Sequence, residues 1–332
     1  MDTQDMNQGQ LLEISGNYWK ACTLHAAVKL DIFTAVASEQ LTSEEITEKL
    51  NGDKRGVSML LNALTAMNLL IKASDKYSNT STSASFLSKG NPQYIGHMIM
   101  HHYHLVASWS QLDQAVKNGA SIRERVSERN EEWRGSFLMG MFTIAMGVAP
   151  RLTKKIDLSK RRHLLDLGGG PGTYAIHFCM NNPELKATVY DLPATRPFAE
   201  KTIEKFGMTG RVDFMDGNYL EEGIKGVYDV VWLSHILHGE GPEDCQDIIR
   251  KTVSVLEPGG MIIVHDFLLD NTMDGPIFPA LFSLNMLLGT PKGQTYSERQ
   301  IADMLSGAGA KEIRRIPFDT PNDSGVIIGV VD

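Results

Sequence analysis

The chain has 332 residues, 42% hydrophobic and 22% charged, with a formal charge of −8. These proportions describe a folded protein of one or, more in keeping with the length, two domains, and exclude a disordered chain, a collagen-like rod and a coiled coil. The acidic balance speaks against a nucleic-acid binder, which needs a basic face for phosphates. Cys22, Cys179 and Cys245 are scattered and form no CxxC pair. A disulfide scaffold and a zinc ribbon are therefore not expected, and a reducing compartment is. The start, MDTQDMNQGQLLEIS, lacks a positive segment followed by an apolar one, so no secretory signal is read there. The most apolar long run, Phe137 to Ala149, is too short to span a bilayer and reads as a buried helix. A cytoplasmic protein with no membrane partner is the expectation.

Up to about residue 160 the apolar residues recur at helical spacing. Leu11, Leu12, Ile14, Tyr18 and Trp19 open a long helical segment that continues to Phe33. Its apolar character is explained by burial against a second copy, which predicts a homodimer. LTSEEITEKLNG starts a helix at Thr42 or Ser43, with acidic residues in its first turn. GVSMLLNALTAMNLLIK is the next helix, and the polar DKYSNTSTSASFL reads as a two-stranded wing. The order suggests a winged helix, but the counterpart of a recognition helix is apolar and has no arginine row for base edges. It reads as a core or interface helix. Further helices run through HMIMHHYHLVASWSQLDQAV and WRGSFLMGMFTIAMGVAPRLTKKI.

From residue 161 onward, strands alternate with helices. Candidate strands are RHLLDLG, ATVYDL, RVDFMDG, YDVVWLSHIL, MIIVHDF, KEIRRIPF and GVIIGVV. Several are near-continuous apolar runs, as parallel strands covered on both faces require. Only a turn separates the last two, so they pair as a hairpin and give the sheet an antiparallel edge. The helix beginning at Pro242 closes at a Pro-Gly-Gly turn, and Ser297 with Gln300 has capping-box spacing.

The sharpest local signal is LLDLGGGPGTYAIHF, in which a strand passes through Gly168, Gly169, Gly170 and Gly172 into a helix. At the carboxyl end of the first strand of a doubly wound sheet, such a turn binds nucleotide-like ligands. A phosphate-binding P-loop needs Gly-Lys-Ser/Thr, which is absent. A dinucleotide fingerprint needs glycine at its sixth position, which is Thr173 here. What remains is Asp166, placed to meet a cationic amino-acid tail, and Asp191 at the end of the second strand, placed to accept ribose hydroxyls. An adenosine bearing an ammonium and no phosphate fits this set: S-adenosylmethionine, leaving S-adenosylhomocysteine as product.

Over nearly its whole length the sequence resembles the class I methyltransferases of the caffeic-acid and hydroxyindole O-methyltransferase type. The motifs carrying the resemblance are DLGGGPGTYA, VYDLPAT, LSHILHGEGPEDC, LEPGGMIIVHDF and GQTYSERQIADML. It implies a seven-stranded, mostly parallel Rossmann-like α/β methyltransferase domain over 156–332. A helical winged-helix dimerisation and substrate-roof domain over 1–155 would precede it. It further implies a catalytic base at His238, oriented by Asp266, and adenine and ribose held by Asp191 with Leu192. Beyond the third strand, Asp216, Asn218 and Tyr219 fall on the cofactor side. The family's His-Asp-Trp is His238-Gly239-Glu240 here, and its strand-three Gly-Asp is Gly217-Asn218. Ser234 stands where plant members have lysine, and Gln294 where a second orienting glutamate is expected.

A phenol, with a pKa of about 10, is a poor nucleophile at neutral pH, and a neutral imidazole can take its proton as the oxygen attacks. A carboxylate on the other ring nitrogen fixes the tautomer; Asp266 suits this role, with Glu240 as second choice. His235, His238, His265 and Asp266 include metal-ligand types. However, His265 and Asp266 alternate to opposite faces of a strand and no tight motif is present, so no metal is expected. If the resemblance extends to the acceptor pocket, His101, Trp109, Phe142 and Met146 form its roof and Met286 joins from the other domain, an aromatic and methionine lining suited to a flat acceptor. The predicted function is methyl transfer to a hydroxyl of a small, aromatic or polycyclic acceptor. The alternatives are a non-methylating enzyme or a regulatory dimer on the same fold.

Overall fold

The computed structural model describes residues 5–125 and 131–332. The chain divides into two compact units, Met1–Val106 and Ala107–Asp332. In the first, the long N-terminal segment forms three helices, Gln8–Gly16, Tyr18–Lys29 and Ile32–Val36, with Asp31 in the left-handed region at the last break. Ala27, Val28, Ile32, Phe33 and Val36 are core residues, together with Ile46, Leu61 and Leu64. Leu12 and Trp19 remain 64% and 68% exposed, so the apolar face at the start finds no cover among the described residues.

Thr42 caps the helix Ser43–Leu50 in a capping box with Glu45, and Asp53 caps Lys54–Ala66. The wing pairs Leu70–Ala73 with Lys76–Asn79, and a third short strand, Leu41–Thr42, adds to it. The serine- and threonine-rich end of the expected wing is instead the helix Ser81–Phe86, because the Thr80 hydroxyl accepts from the Ser83 N–H as an N-cap.

The second unit is built on a sheet of β1 (His163–Leu167), β2 (Lys186–Asp191), β3 (Val212–Asp216), β4 (Tyr228–Ser234), β5 (Leu256–Leu269), β6 (Lys311–Ile316) and β7 (Ser324–Val330). Their spatial order is β6-β7-β5-β4-β1-β2-β3, and Tyr296–Ser297 adds a two-residue pairing to β5. The hairpin forms as expected, but the reversed strand is β7, second from the edge, while β6 forms the edge. The Pro-Gly-Gly expected as a turn is absorbed into β5, where the pairing with β4 slips between Tyr228 and Val230. Both sheet faces are dry: Leu164, Val230 and Trp232 on one, Leu165, Val231 and Leu233 on the other.

The compact unit begins well before residue 156. The helix Glu131–Leu152 puts Val148, Ala149 and Leu152 into the sheet core, next to the helix Thr173–Asn181. It corrects the reading of Phe137 to Ala149 as a short buried helix. At 22 residues it is long and apolar enough to cross a membrane by length and composition alone, and most of its apolar stretch is not buried.

Candidate active site

The glycine turn leaves β1 with Gly168, Gly170 and Gly172 at φ of 65°, 53° and 77°, backbone that side chains disfavour. A Cβ on Gly168 would lie 2.6 Å from the Ile236 side chain, and one on Gly169 would lie 2.6 Å from the Asp166 carboxyl. Asp166 is 1% exposed. One of its oxygens accepts from the Ala175 N–H at 3.1 Å, and the other is buried with no hydrogen-bond partner. Burial pushes its pKa up to about 7, against the Ala175 hydrogen bond. An orphaned carboxylate oxygen beneath a cradle that only glycine can form suits an ammonium-bearing nucleoside, and gives a pyrophosphate nothing.

Asp191, at the end of β2, serves the turn itself. Its carboxylate accepts from the N–H groups of Gly170 and Leu192 at 2.8 and 2.7 Å and from the Thr195 hydroxyl at 3.0 Å. Burial raises its pKa, and these three donors oppose the rise. Tyr219 lies over Gly168, its ring 3.6 Å from where a Cβ would sit, and burial raises its pKa as well. The Asn218 side-chain oxygen is used by the Leu220 N–H at 3.1 Å. Asp216 departs from the expectation. It is exposed and its two oxygens are held by the Arg196 guanidinium at 3.1 and 2.7 Å, rather than directed at a nucleoside.

β4 ends at Ser234, and the backbone then turns through His235 at φ 57° into a single 3₁₀ turn, Leu237–Gly239. His238 therefore sits on a turn, two residues beyond the Ile236 side chain that abuts Gly168. Its Nδ1 lies 2.6 Å from Asp266 Oδ1, and its backbone N–H reaches Asp266 Oδ2 at 3.3 Å. Burial works to protonate Asp266, but His238 by charge and hydrogen bond, the His235 charge and the Phe267 N–H together hold the carboxyl below its ordinary pKa. An ionised Asp266 accepts only, so Nδ1 of His238 donates and Nε2 is left as the basic nitrogen. Glu240, the second-choice partner, is turned away: Arg125 grips its carboxylate at 2.6 and 2.8 Å.

Ser234 engages two neighbouring histidines. Its hydroxyl lies 3.0 Å from Nδ1 of both His235 and His265, and His235 Nε2 is 3.1 Å from the Ser324 hydroxyl. Burial pushes the His235 pKa down to about 4, outweighing the opposing Asp266 charge. His265 and Asp266 do point to opposite faces: the His265 ring packs on Trp232, 5.5 Å between centroids, while Asp266 meets His238.

Sequence reasoning missed the aromatic wall around His238. Phe267 stacks on His238 at 5.6 Å, and Phe282 meets it edge-on at 4.9 Å, with Phe278 behind them. Phe267 was legible as Asp266's neighbour. Phe278 and Phe282, four apart on the helix Ile277–Gly289, form one helix face. Met286 is buried one turn further along.

Two roof residues lie elsewhere. Phe142 packs on Phe206 at 6.4 Å, and Met146 sulfur lies 3.4 Å from His177 Nε2, both against the helices flanking the sheet. From that helix, the Leu138 side chain lies 4.0 Å from where a Cβ on Gly170 would sit. His101 is buried in the first unit, and Trp109 is half-buried at the end of the same helix, Gly96–Trp109. A cavity of about 390 Å³, lined by Asp270, Glu298, Arg315 and Asp323 among others, lies apart from the dyad.

An α/β sheet with a glycine cradle, an orphaned acid and a histidine–aspartate dyad beside it defines a nucleoside-dependent transferase. The O-methyltransferase domain matches residues 109–311, and the O-methyltransferase dimerisation domain matches residues 12–89. The 3-hydroxy-5-methyl-1-naphthoate 3-O-methyltransferase of Streptomyces sahachiroi is 33% identical over 326 residues, covering 96% of this chain and 94% of its own. The tetracenomycin polyketide synthesis 8-O-methyl transferase of Streptomyces glaucescens is 28% identical, covering 95% and 94%. A solved O-methyltransferase family protein from Burkholderia thailandensis superposes with a TM-score of 0.89 at 25% identity, covering 99% of both chains. The chain belongs to the O-methyltransferase family; it is an S-adenosylmethionine-dependent enzyme with that family's dimerisation domain.

Proposed function

We propose that this enzyme methylates a hydroxyl of a flat aromatic or polycyclic acceptor, with His238 as general base and Asp266 as the group that orients it. The observation that carries the reading is the 2.6 Å contact between Nδ1 of His238 and a carboxylate held ionised in a buried site. The base stands beside the glycine cradle, through Ile236, and against the rings of Phe267 and Phe282. When bound, S-adenosylmethionine supplies a methyl group made electrophilic by its sulfonium. The residues on its side of the site are Asp166, Gly168, Gly170, Asp191, Leu192, Asn218 and Tyr219. Asp166 is matched to the ammonium, and Asp191 keeps one remaining lone pair for a ribose hydroxyl while fixing the turn. Nε2 of His238 takes the acceptor's hydroxyl proton as the oxygen attacks, and Asp266 steadies the imidazolium. The aromatic wall orients a planar acceptor and excludes water. Trp109 and Met286 enter as acceptor contacts on the resemblance alone.

The two relatives named above act on a naphthoate and in synthesis of a tetracenomycin polyketide, which supports a fused-ring acceptor. The exposed Leu12 and Trp19 fall within the dimerisation domain and support a homodimer. Transfer of labelled methyl from S-adenosylmethionine to a panel of phenols and naphthols tests the reading. His238→Ala should abolish transfer while S-adenosylhomocysteine binds as before; an unchanged rate would overturn the base assignment.

A further inference from the structure

Two residues past the base, where the resemblance implies tryptophan, the chain has Glu240. It is 2% exposed, a carboxylate taken out of water beside the reaction centre. Arg125 meets it with a bidentate fork at 2.6 and 2.8 Å and also reaches the Gly239 carbonyl at 3.4 Å. The base turn is short enough to transmit any movement of Glu240, because the N–H groups of Gly239 and Glu240 donate to Ile236 and Leu237 at 3.0 Å. Behind it, the Tyr296 hydroxyl donates to the Glu240 carbonyl at 2.6 Å. Gln294, the expected second orienting residue, hydrogen-bonds the side chain of Tyr296.

The same stretch of chain also grips the opposite wall. The N–H groups of Ile122 and Arg123 both donate to the Leu288 carbonyl at 3.0 Å. The Arg123 guanidinium donates to the side-chain and backbone oxygens of Asn285 at 3.1 and 3.2 Å. Asn285 and Leu288 belong to the helix whose Phe282 packs edge-on against His238. Residues 122–125 thus hold both the turn that carries the base and the helix that carries its aromatic wall.

A buried ion pair adds little net stability, because desolvating both charges offsets their attraction, while its fork geometry fixes position. We propose that the Arg125–Glu240 pair is a positioning clamp for the base. It fastens the turn Leu237–Glu240 to the 122–125 stretch, so that His238 stays seated on Asp266 and spaced from Phe282. Arg125 and Glu240 are positioning residues and touch no reacting atom. The inference rests on His238 being the base.

The test uses the full-length enzyme and two acceptors, 2-naphthol and a nitro-substituted naphthol that is already ionised at neutral pH. A base displaced by about 1 Å costs on the order of 10²-fold. Glu240→Gln and Arg125→Met should therefore each lower kcat for 2-naphthol roughly 10- to 100-fold. Affinity for S-adenosylhomocysteine should stay within about twofold. The loss should largely vanish with the ionised acceptor, which needs no base; a merely structural defect would slow both acceptors alike. If either single variant fails to fold, the double variant R125M/E240Q, which buries no lone charge, should show the same selective loss. By proton NMR, the downfield Nδ1 proton of His238, assigned by its disappearance in His238→Ala, should shift or broaden in Glu240→Gln. Equal losses on both acceptors, an unchanged kcat or an unmoved resonance would overturn the clamp. An active His238→Ala would instead overturn the function on which it rests.

Discussion

Replacing Asp266 by Asn isolates the contact on which the proposed base mechanism rests. The side chain is 3% exposed and its contact with His238 Nδ1 is 2.6 Å, so Asn fits the space while removing the charge. Oδ1 also accepts from the Phe267 N–H at 2.8 Å, so the Asn oxygen takes its place and Nδ1 keeps its proton, now against a neutral acceptor. The imidazolium formed during transfer loses its counter-charge. At about 4 Å between charge centres and an effective dielectric of about 20 this is about 4 kcal/mol, or roughly 10³-fold in rate. That magnitude lies inside the range of 10²–10⁴-fold for general-base catalysis. The assay is methyl transfer to 2-naphthol at pH 7 under saturating S-adenosylmethionine, with calorimetry of S-adenosylhomocysteine beside it. The expected result is a kcat about 10³ lower with binding unchanged, and a loss that shrinks as pH rises toward the acceptor's own pKa. A kcat within threefold of wild type, or a parallel loss of cofactor affinity, would refute the reasoning.

Two further outcomes follow from buried titrations. Asp166, raised to about 7, must be ionised to receive the cofactor's ammonium, so S-adenosylhomocysteine should bind about tenfold more weakly per pH unit below 7 and level off above it. Calorimetry from pH 5.5 to 8.5 checks this; Asp166→Asn should bind weakly with no such slope, and a sloping variant would remove Asp166 from the role. His235, lowered to about 4, is a base whose folded pKa lies below its unfolded value, so its contribution to stability is present above about pH 6.5 and lost as pH falls toward 4. Unfolding free energy should drop by about 2 kcal/mol between pH 7 and 5 from this group. Urea denaturation at both pH values, compared with His235→Asn, which tolerates the left-handed backbone, should show a shallower drop in the variant. Equal drops would exclude His235 as the source.

The glycine turn, the helix caps at Thr42 and Ser297 and the run of strands were legible in the sequence, because each is written in neighbouring residues. A glycine at positive φ, a hydroxyl three residues before a glutamine, or an apolar run of strand length carries its meaning locally, whatever lies across the fold. The choice between Asp266 and Glu240 was not local. Both are acids near the base, and only the placement of β5 against the 3₁₀ turn sets one on His238, while Arg125, more than a hundred residues upstream, takes the other. Phe142 and Met146 were likewise set by which face of a long helix meets the sheet, since an almost uniformly apolar helix shows no dominant stripe by which to orient it. Asp216 was drawn off by Arg196, a partner twenty residues away that spacing alone does not announce. Sequence determined the elements, the nucleoside cradle and the candidate base His238. Tertiary structure alone decided which carboxylate faces it and which rings wall it in, because those contacts join segments whose only common property is where the sheet carries them.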